Sequence, residues 1–208
     1  MIYLDYAATS FMKPRSVYNA VYDAMLHYAA NPGRGGHTLS VRAGELVYET
    51  REKLCRLFHI DTPEQIAFFP NTTAALNAAI KGVLSRGDHV VVSSMEHNSV
   101  LRPLEALKQQ GIIFYSTVHA DENGTLTPEA FQKAMRPHTK LVICTHASNV
   151  CGNLYDIQKI AEIAHAQEAL FMVDAAQSAG LADIDASYID LLAFPGHKSL
   201  YGPQGSGG

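Results

Sequence analysis

The chain has 208 residues, 47% hydrophobic and 17% charged, with a net charge of −4 and a pI near 6.2. That balance excludes a disordered or fibrous polypeptide and argues against general binding to nucleic acid or to acidic membranes. The opening Met1-Ile-Tyr-Leu-Asp-Tyr lacks the pattern of a signal peptide, no stretch reaches membrane-span length, and three irregularly spaced cysteines form no disulfide framework, so a cytoplasmic protein is expected.

Taken in chain order, residues 14–29 place Val17, Val21, Ala24 and Met25 at helical spacing behind a proline suited to a first turn. Residues 39–58 repeat Leu39, Ala43, Leu46, Val47, Leu54 and Leu57 in the same way. A first strand is predicted at 65–69, followed by a helix at 74–84 and a strand at 89–93. Then come a helix at 100–109, a strand at 112–118, a helix at 128–135 and a strand at 141–145. A helix at 157–167 and strands at 170–173 and 190–194 complete the series. The strands are short and continuously apolar, as strands covered on both faces are. Their alternation with helices predicts an α/β protein: three α/β/α layers around a mainly parallel sheet, with right-handed crossovers. Ligands of such sheets bind at the carboxyl ends of the strands.

Polar clusters follow several of those ends. Phe68-Phe-Pro-Asn-Thr-Thr opens a helix, where free N–H groups and the hydroxyls of Thr72 and Thr73 suit a phosphate; the same residues also suit an ordinary N-cap. Ser94-Met-Glu-His-Asn-Ser places His97 at another helix start, for ring stacking, proton transfer or simple capping. Asn149 follows the strand at 141–145, either as a turn residue or as an amide aimed at a ligand oxygen. Asp174 ends an apolar strand, where a carboxylate without a partner is costly, and Gln177 lies three residues on. Lys198 sits in the glycine-flanked loop Gly196-His-Lys after the next strand. An acid and a lysine so placed are what pyridoxal 5'-phosphate (PLP) requires: the lysine forms a Schiff base with the aldehyde, and the acid keeps the pyridine nitrogen protonated. No metal site is read from the sequence, and no glycine-rich turn after the first strand supports a dinucleotide fold.

These residues, with Tyr3-Leu-Asp-Tyr-Ala-Ala-Thr and Asn31-Pro-Gly-Arg-Gly-Gly-His, resemble the class V aminotransferase-type enzymes of PLP fold type I. The likeness is nearest to the cysteine desulfurase and selenocysteine lyase branch and runs through essentially the entire chain. It implies that Lys198 holds the cofactor and later moves the substrate α proton. It further implies that Asp174 pairs with the pyridinium nitrogen, His97 stacks on the ring, and Asn149 and Gln177 contact the phenolic oxygen. Thr73 and His197, with Thr72 as a weaker candidate, would take the phosphate. Pro195 stands where the family usually has a phosphate-binding hydroxyl, which implies weaker phosphate binding.

The resemblance also implies a domain plan: residues 1–15 associate with a small domain, 16–208 form the PLP-binding large domain, and the C-terminal small domain is absent. The family's nucleophilic cysteine and a carboxylate-binding arginine lie in that missing part, so a truncated form with little or no activity of its own is expected. Of the cysteines present, Cys151 is nearest to the clusters, while Cys55 and Cys144 read as small buried hydrophobes. A full-length homodimer acting on L-cysteine and passing sulfur as a persulfide to an acceptor protein is implied. Another class V chemistry, selenocysteine lyase or aminotransferase, shares the same residues, and a catalytically silent remnant acting as a binding module remains the alternative.

Overall fold

The computed structural model describes residues 2–208. Among them run the helices α1 (Arg15–His27), α2 (Thr38–Phe58), α3 (Thr72–Val83), α4 (Asn98–Gln109), α5 (Pro128–Ala134) and α6 (Ile157–His165). The strands are β1 (His89–Ser93), β2 (Phe114–Val118), β3 (Thr139–Thr145), β4 (Leu170–Asp174) and β5 (Leu191–Ala193). They form one parallel sheet in the order β2-β1-β3-β4-β5.

Period-two geometry explains the layers. Val91, Val142, Cys144, Phe171 and Val173 face one way, onto Phe58 of α2, Phe131 of α5 and Ile157, Ile160 and Ala164 of α6. Their strand neighbours Val90, Val92, Leu141, Ile143 and Met172 face the other way, onto Leu76 and Ile80 of α3 and Val100 and Leu104 of α4. Both faces are therefore sealed by helices, and the expected α/β/α sandwich with a parallel sheet is what forms. No helix among the described residues is long and apolar enough to cross a membrane.

Two expectations are corrected. Residues 65–69 do not make a strand: 63–65 turn as a 3-10 helix begun by Pro63, and only Phe69 bridges, antiparallel, to Gly207. A strand needs a neighbour along its length, and one residue of Gly207 is all the partner this segment has. A Cβ on Gly207 would come within 2.9 Å of Phe194 O and 3.1 Å of Asn71 C, so only glycine passes between them. The helix expected from the spacing at residues 14–29 forms as α1. None of its residues is buried, and Tyr18, Tyr22, Met25 and Leu26 are exposed. The last strand is also shorter than expected, three residues in place of five.

At the amino end of the sheet, His89 is wholly buried between Thr139 Oγ1 and Ser116 Oγ, each 2.9 Å from a ring nitrogen. Burial first, then the charges of Arg136 and His138, push its pKa down from 6.5 to about 4. The unfolded chain thus takes up a proton near pH 6.5 that the folded chain refuses until about pH 4. Stability contributed by neutral His89 is present above pH 6.5 and is lost as pH falls through that window, by roughly 3 kcal/mol in all. Denaturant titrations at pH 7 and pH 4.5 are expected to show a less favourable change in stability on acidification in the natural chain than in His89→Gln; equal changes would remove His89 as a contributor.

Candidate functional site

The carboxyl ends of β1, β3, β4 and β5 open onto a cavity of about 470 Å³. Its wall contains Thr72, Thr73, His97 and Asn149, together with Asp174, Gln177, His197 and Lys198. All eight residues singled out in the sequence are therefore brought together. Asp5, Ala7 and Ala8 of the N-terminal segment complete one side. Pro195 is not in the wall. Its missing N–H costs no pairing, since Phe194 and Gly196 make the hydrogen bonds to Gly208 and Ser206 on either side of it.

Asp174 is carried by the last position of β4, in register with Thr145 of β3 and Ala193 of β5. It is 1% exposed, and Oδ1 accepts from Ala176 N at 2.9 Å. Burial raises its pKa, opposed first by the Ala176 N–H and then by Lys198 and His97. Burial correspondingly lowers the Lys198 pKa, and Asp174 opposes that shift. Each group is pushed toward neutrality by desolvation and held charged by its counterpart, so displacement of either one releases the other. A half-buried lysine that deprotonates easily is the kind that attacks carbonyl carbon. The loop carrying it is compact: a Cβ on Gly196 would lie 2.3 Å from Ser206 Oγ.

At the start of α3, Asn71 Oδ1 accepts from Ala74 N at 2.8 Å. The N–H groups of Thr72 and Thr73 have no partner among the described residues, and neither do the two hydroxyls. A 12-residue helix thus turns unspent donors and its positive end toward the cavity. Lys198 and His197 stand in the same wall. This donor set fits the phosphate of PLP, Asp174 fits its ring nitrogen, and Lys198 fits its aldehyde.

His97 caps α4 with its own ring: Nδ1 accepts from Ser99 N at 3.2 Å, with Ser99 Oγ at 2.8 Å. Because a backbone N–H can only donate, the neutral ring must carry its proton on Nε2. His97 accordingly offers a hydrogen-bond donor at Nε2 toward its surroundings. Asn149 lies in the turn after β3, and Gln177 Nε2 donates to Ala7 O at 3.0 Å.

One acid escaped the sequence reading as a functional group. Glu96 is 7% exposed, and its Oε1 accepts from Ser93 Oγ at 2.6 Å and from Thr145 N at 2.5 Å, bridging the ends of β1 and β3. Its Oε2 has no partner among the described residues. Burial, the dominant cause, raises its pKa from 4.5 to about 8, and nearby Asp174 adds to the rise. The only sequence signal was its position, after a strand and directly before His97.

No cysteine lines the cavity. Cys55 and Cys144 are buried as expected. Cys151 is exposed, with its thiol pKa lowered chiefly by the Ser148 hydroxyl and then by the Asn153 backbone.

The comparisons with known proteins bear on the fold and the family. Solved structures with the same fold include a cysteine desulfurase from Thermococcus onnurineus in its apo form, with a TM-score of 0.91 and 34% identity over 99% of this chain and 52% of that one. SspA in complex with cysteine superposes with a TM-score of 0.93 and 29% identity, over 100% of this chain and 60% of that one. The family described as Aminotransferase class-V matches residues 2–207, and the chain belongs to it. A probable cysteine desulfurase of Methanothermobacter thermautotrophicus is 40% identical over 99% of this chain, and the cysteine desulfurase IscS of Acinetobacter baumannii is 37% identical over the same share. The chain spans about half the length, 52%, of each of these two relatives.

Proposed function

We propose that the chain provides the cofactor-holding part of a PLP-dependent cysteine desulfurase. The observation that carries the reading is half-buried Lys198 and buried Asp174, set in the wall of one cavity and shifted in opposite directions by desolvation. PLP, when bound, supplies an electron sink that stabilises negative charge at the substrate α-carbon. Lys198 is the group that attaches to it and then accepts the α proton, its amine held toward the neutral, proton-accepting form by desolvation. Asp174 keeps the ring nitrogen positive, Thr72, Thr73 and His197 hold the phosphate, and Asn149 and Gln177 face the phenolic oxygen. His97 stacks on the ring and donates from Nε2. The overall change is L-cysteine plus a thiol giving L-alanine plus the corresponding persulfide.

No cysteine stands in the cavity wall, so the thiol that takes the sulfur comes from elsewhere in the working protein or from an acceptor protein. The relatives' names, and the cysteine-bound SspA, support L-cysteine as substrate. Within the same proposal, residues 16–208 are the PLP-binding domain, residues 1–15 the segment that in the full-length form meets a small domain, and the location cytoplasmic. The exposed apolar side chains of α1 support a homodimer for the full-length form.

The test is to load the purified chain with PLP, add L-cysteine with dithiothreitol as thiol, and quantify products. Alanine and sulfide in equal amounts support the proposal. Pyruvate or racemised amino acid in place of alanine would replace desulfuration by another class V chemistry. A chain with no PLP on Lys198 after borohydride reduction would end the cofactor reading itself.

A further inference from the structure

The peptide joining His197 to Lys198 is held from outside its own loop. Its carbonyl oxygen lies 3.0 Å from Ser10 Oγ, 3.1 Å from Thr9 Oγ1, 3.2 Å from Ser10 N and 3.4 Å from Lys13 Nζ. Lys13 Nζ also donates to Ser10 Oγ at 2.7 Å, and Thr9 Oγ1 is 3.0 Å from His197 Nδ1. A carbonyl oxygen has two lone pairs. Ser10 fills both, one with its N–H and one with its hydroxyl, and the ammonium of Lys13 donating into that hydroxyl turns the hydroxyl proton toward His197. Thr9 has a single proton and two acceptors within reach. The carbonyl, 3.1 Å away, already accepts twice from Ser10, so the Thr9 proton is better used at Nδ1, 3.0 Å away. A neutral imidazole that accepts at Nδ1 carries its own proton at Nε2. His197 lines the cavity, and with Nδ1 turned to Thr9, Nε2 is the nitrogen left to face it.

We propose that Thr9, supported by Ser10 and Lys13, is a positioning residue that sets His197 in the Nε2–H tautomer and fixes the backbone of Lys198, so that the ring offers a donor to an anion in the cavity. In identifying that anion as the PLP phosphate the proposal rests on the function given above. Burial, then the charges of Lys198 and Lys13, lower the His197 pKa, which keeps the ring neutral and makes its tautomer matter. The donor of Gln177 to Ala7 O ties the same segment to the end of β4.

The deciding experiment reads the His197 ring by nitrogen-15 NMR in the cofactor-free chain and pairs it with equilibrium binding of PLP. The natural chain should show His197 protonated at Nε2. Thr9→Val should lose the fixed tautomer and bind PLP about tenfold more weakly, the worth of one such hydrogen bond. Thr9→Ser, which restores the hydroxyl, should keep the tautomer and bind within about twofold of the natural chain. Protonation at Nδ1 in the natural chain would overturn the proposal. So would a Thr9→Val chain unchanged in both readouts, or a Thr9→Ser chain as impaired as Thr9→Val. The ring spectrum requires no cofactor, so a chain that failed to bind PLP would sink the functional reading while the tautomer still decided the role of Thr9.

Discussion

Lys198→Ala abolishes the pyridoxyl adduct that borohydride reduction leaves at this position, and slows exchange of the substrate α hydrogen with deuterated water by roughly 10²–10⁴-fold, the usual worth of a positioned general base. Both outcomes follow from one amine acting as attachment point and as base. Peptide mass mapping checks the first and proton NMR of L-alanine in deuterated buffer the second, without reliance on any sulfur acceptor. Lys198→Arg separates charge from chemistry. A guanidinium keeps a positive partner near Asp174 but does not deprotonate in a protein, so this variant should fold and still fail both assays. An adduct of undiminished yield in Lys198→Ala, spread over other lysines, would show that the Lys198 amine is not the attachment point.

Glu96→Gln stabilises the fold at pH 8 by roughly 3–5 kcal/mol relative to the natural chain, and by progressively less toward pH 4.5. Glu96 keeps its proton in the folded chain to about pH 8, whereas the unfolded chain releases it near 4.5. Its contribution to stability is therefore complete below pH 4.5 and is lost as pH rises through 8. Glutamine keeps an oxygen to accept from Ser93 Oγ and Thr145 N and never ionises. Denaturant unfolding of both chains from pH 4.5 to 8 measures the difference. A pair of parallel curves would mean that Glu96 is ionised inside the fold. This alkaline loss runs opposite to the acid loss assigned to His89, so the natural chain should be most stable between them.

The strand at 89–93 was legible because a continuous apolar run between polar ends has one use in a two-sided sheet. The run at 65–69 looked the same and is not a strand, because pairing depends on what lies alongside, and that neighbour is Gly207 alone. The spacing in α1 was helical, and so is the segment, but periodicity reports a face without saying what covers it. In the site, Asp174 and Lys198 were readable because a charge at the end of an apolar strand is conspicuous. Thr9, Ser10 and Ser99 were not, since a hydroxyl that orients a histidine looks in sequence like any other hydroxyl. The Thr9 contact with His197 spans 188 positions, beyond any local pattern.

That span has a kinetic consequence. As the polypeptide emerges during synthesis, Thr9, Ser10 and Lys13 appear early, and the loop they grip appears only after every strand of the sheet has been made. Closing so long a separation is among the most entropically costly steps a chain of this size takes, and contacts of this kind slow folding. The sheet and its helices can form while the cavity is still open on the N-terminal side. Acquisition of a rigid lysine loop should therefore trail behind acquisition of secondary structure, leaving a compact species that is native in shape before it is native in chemistry.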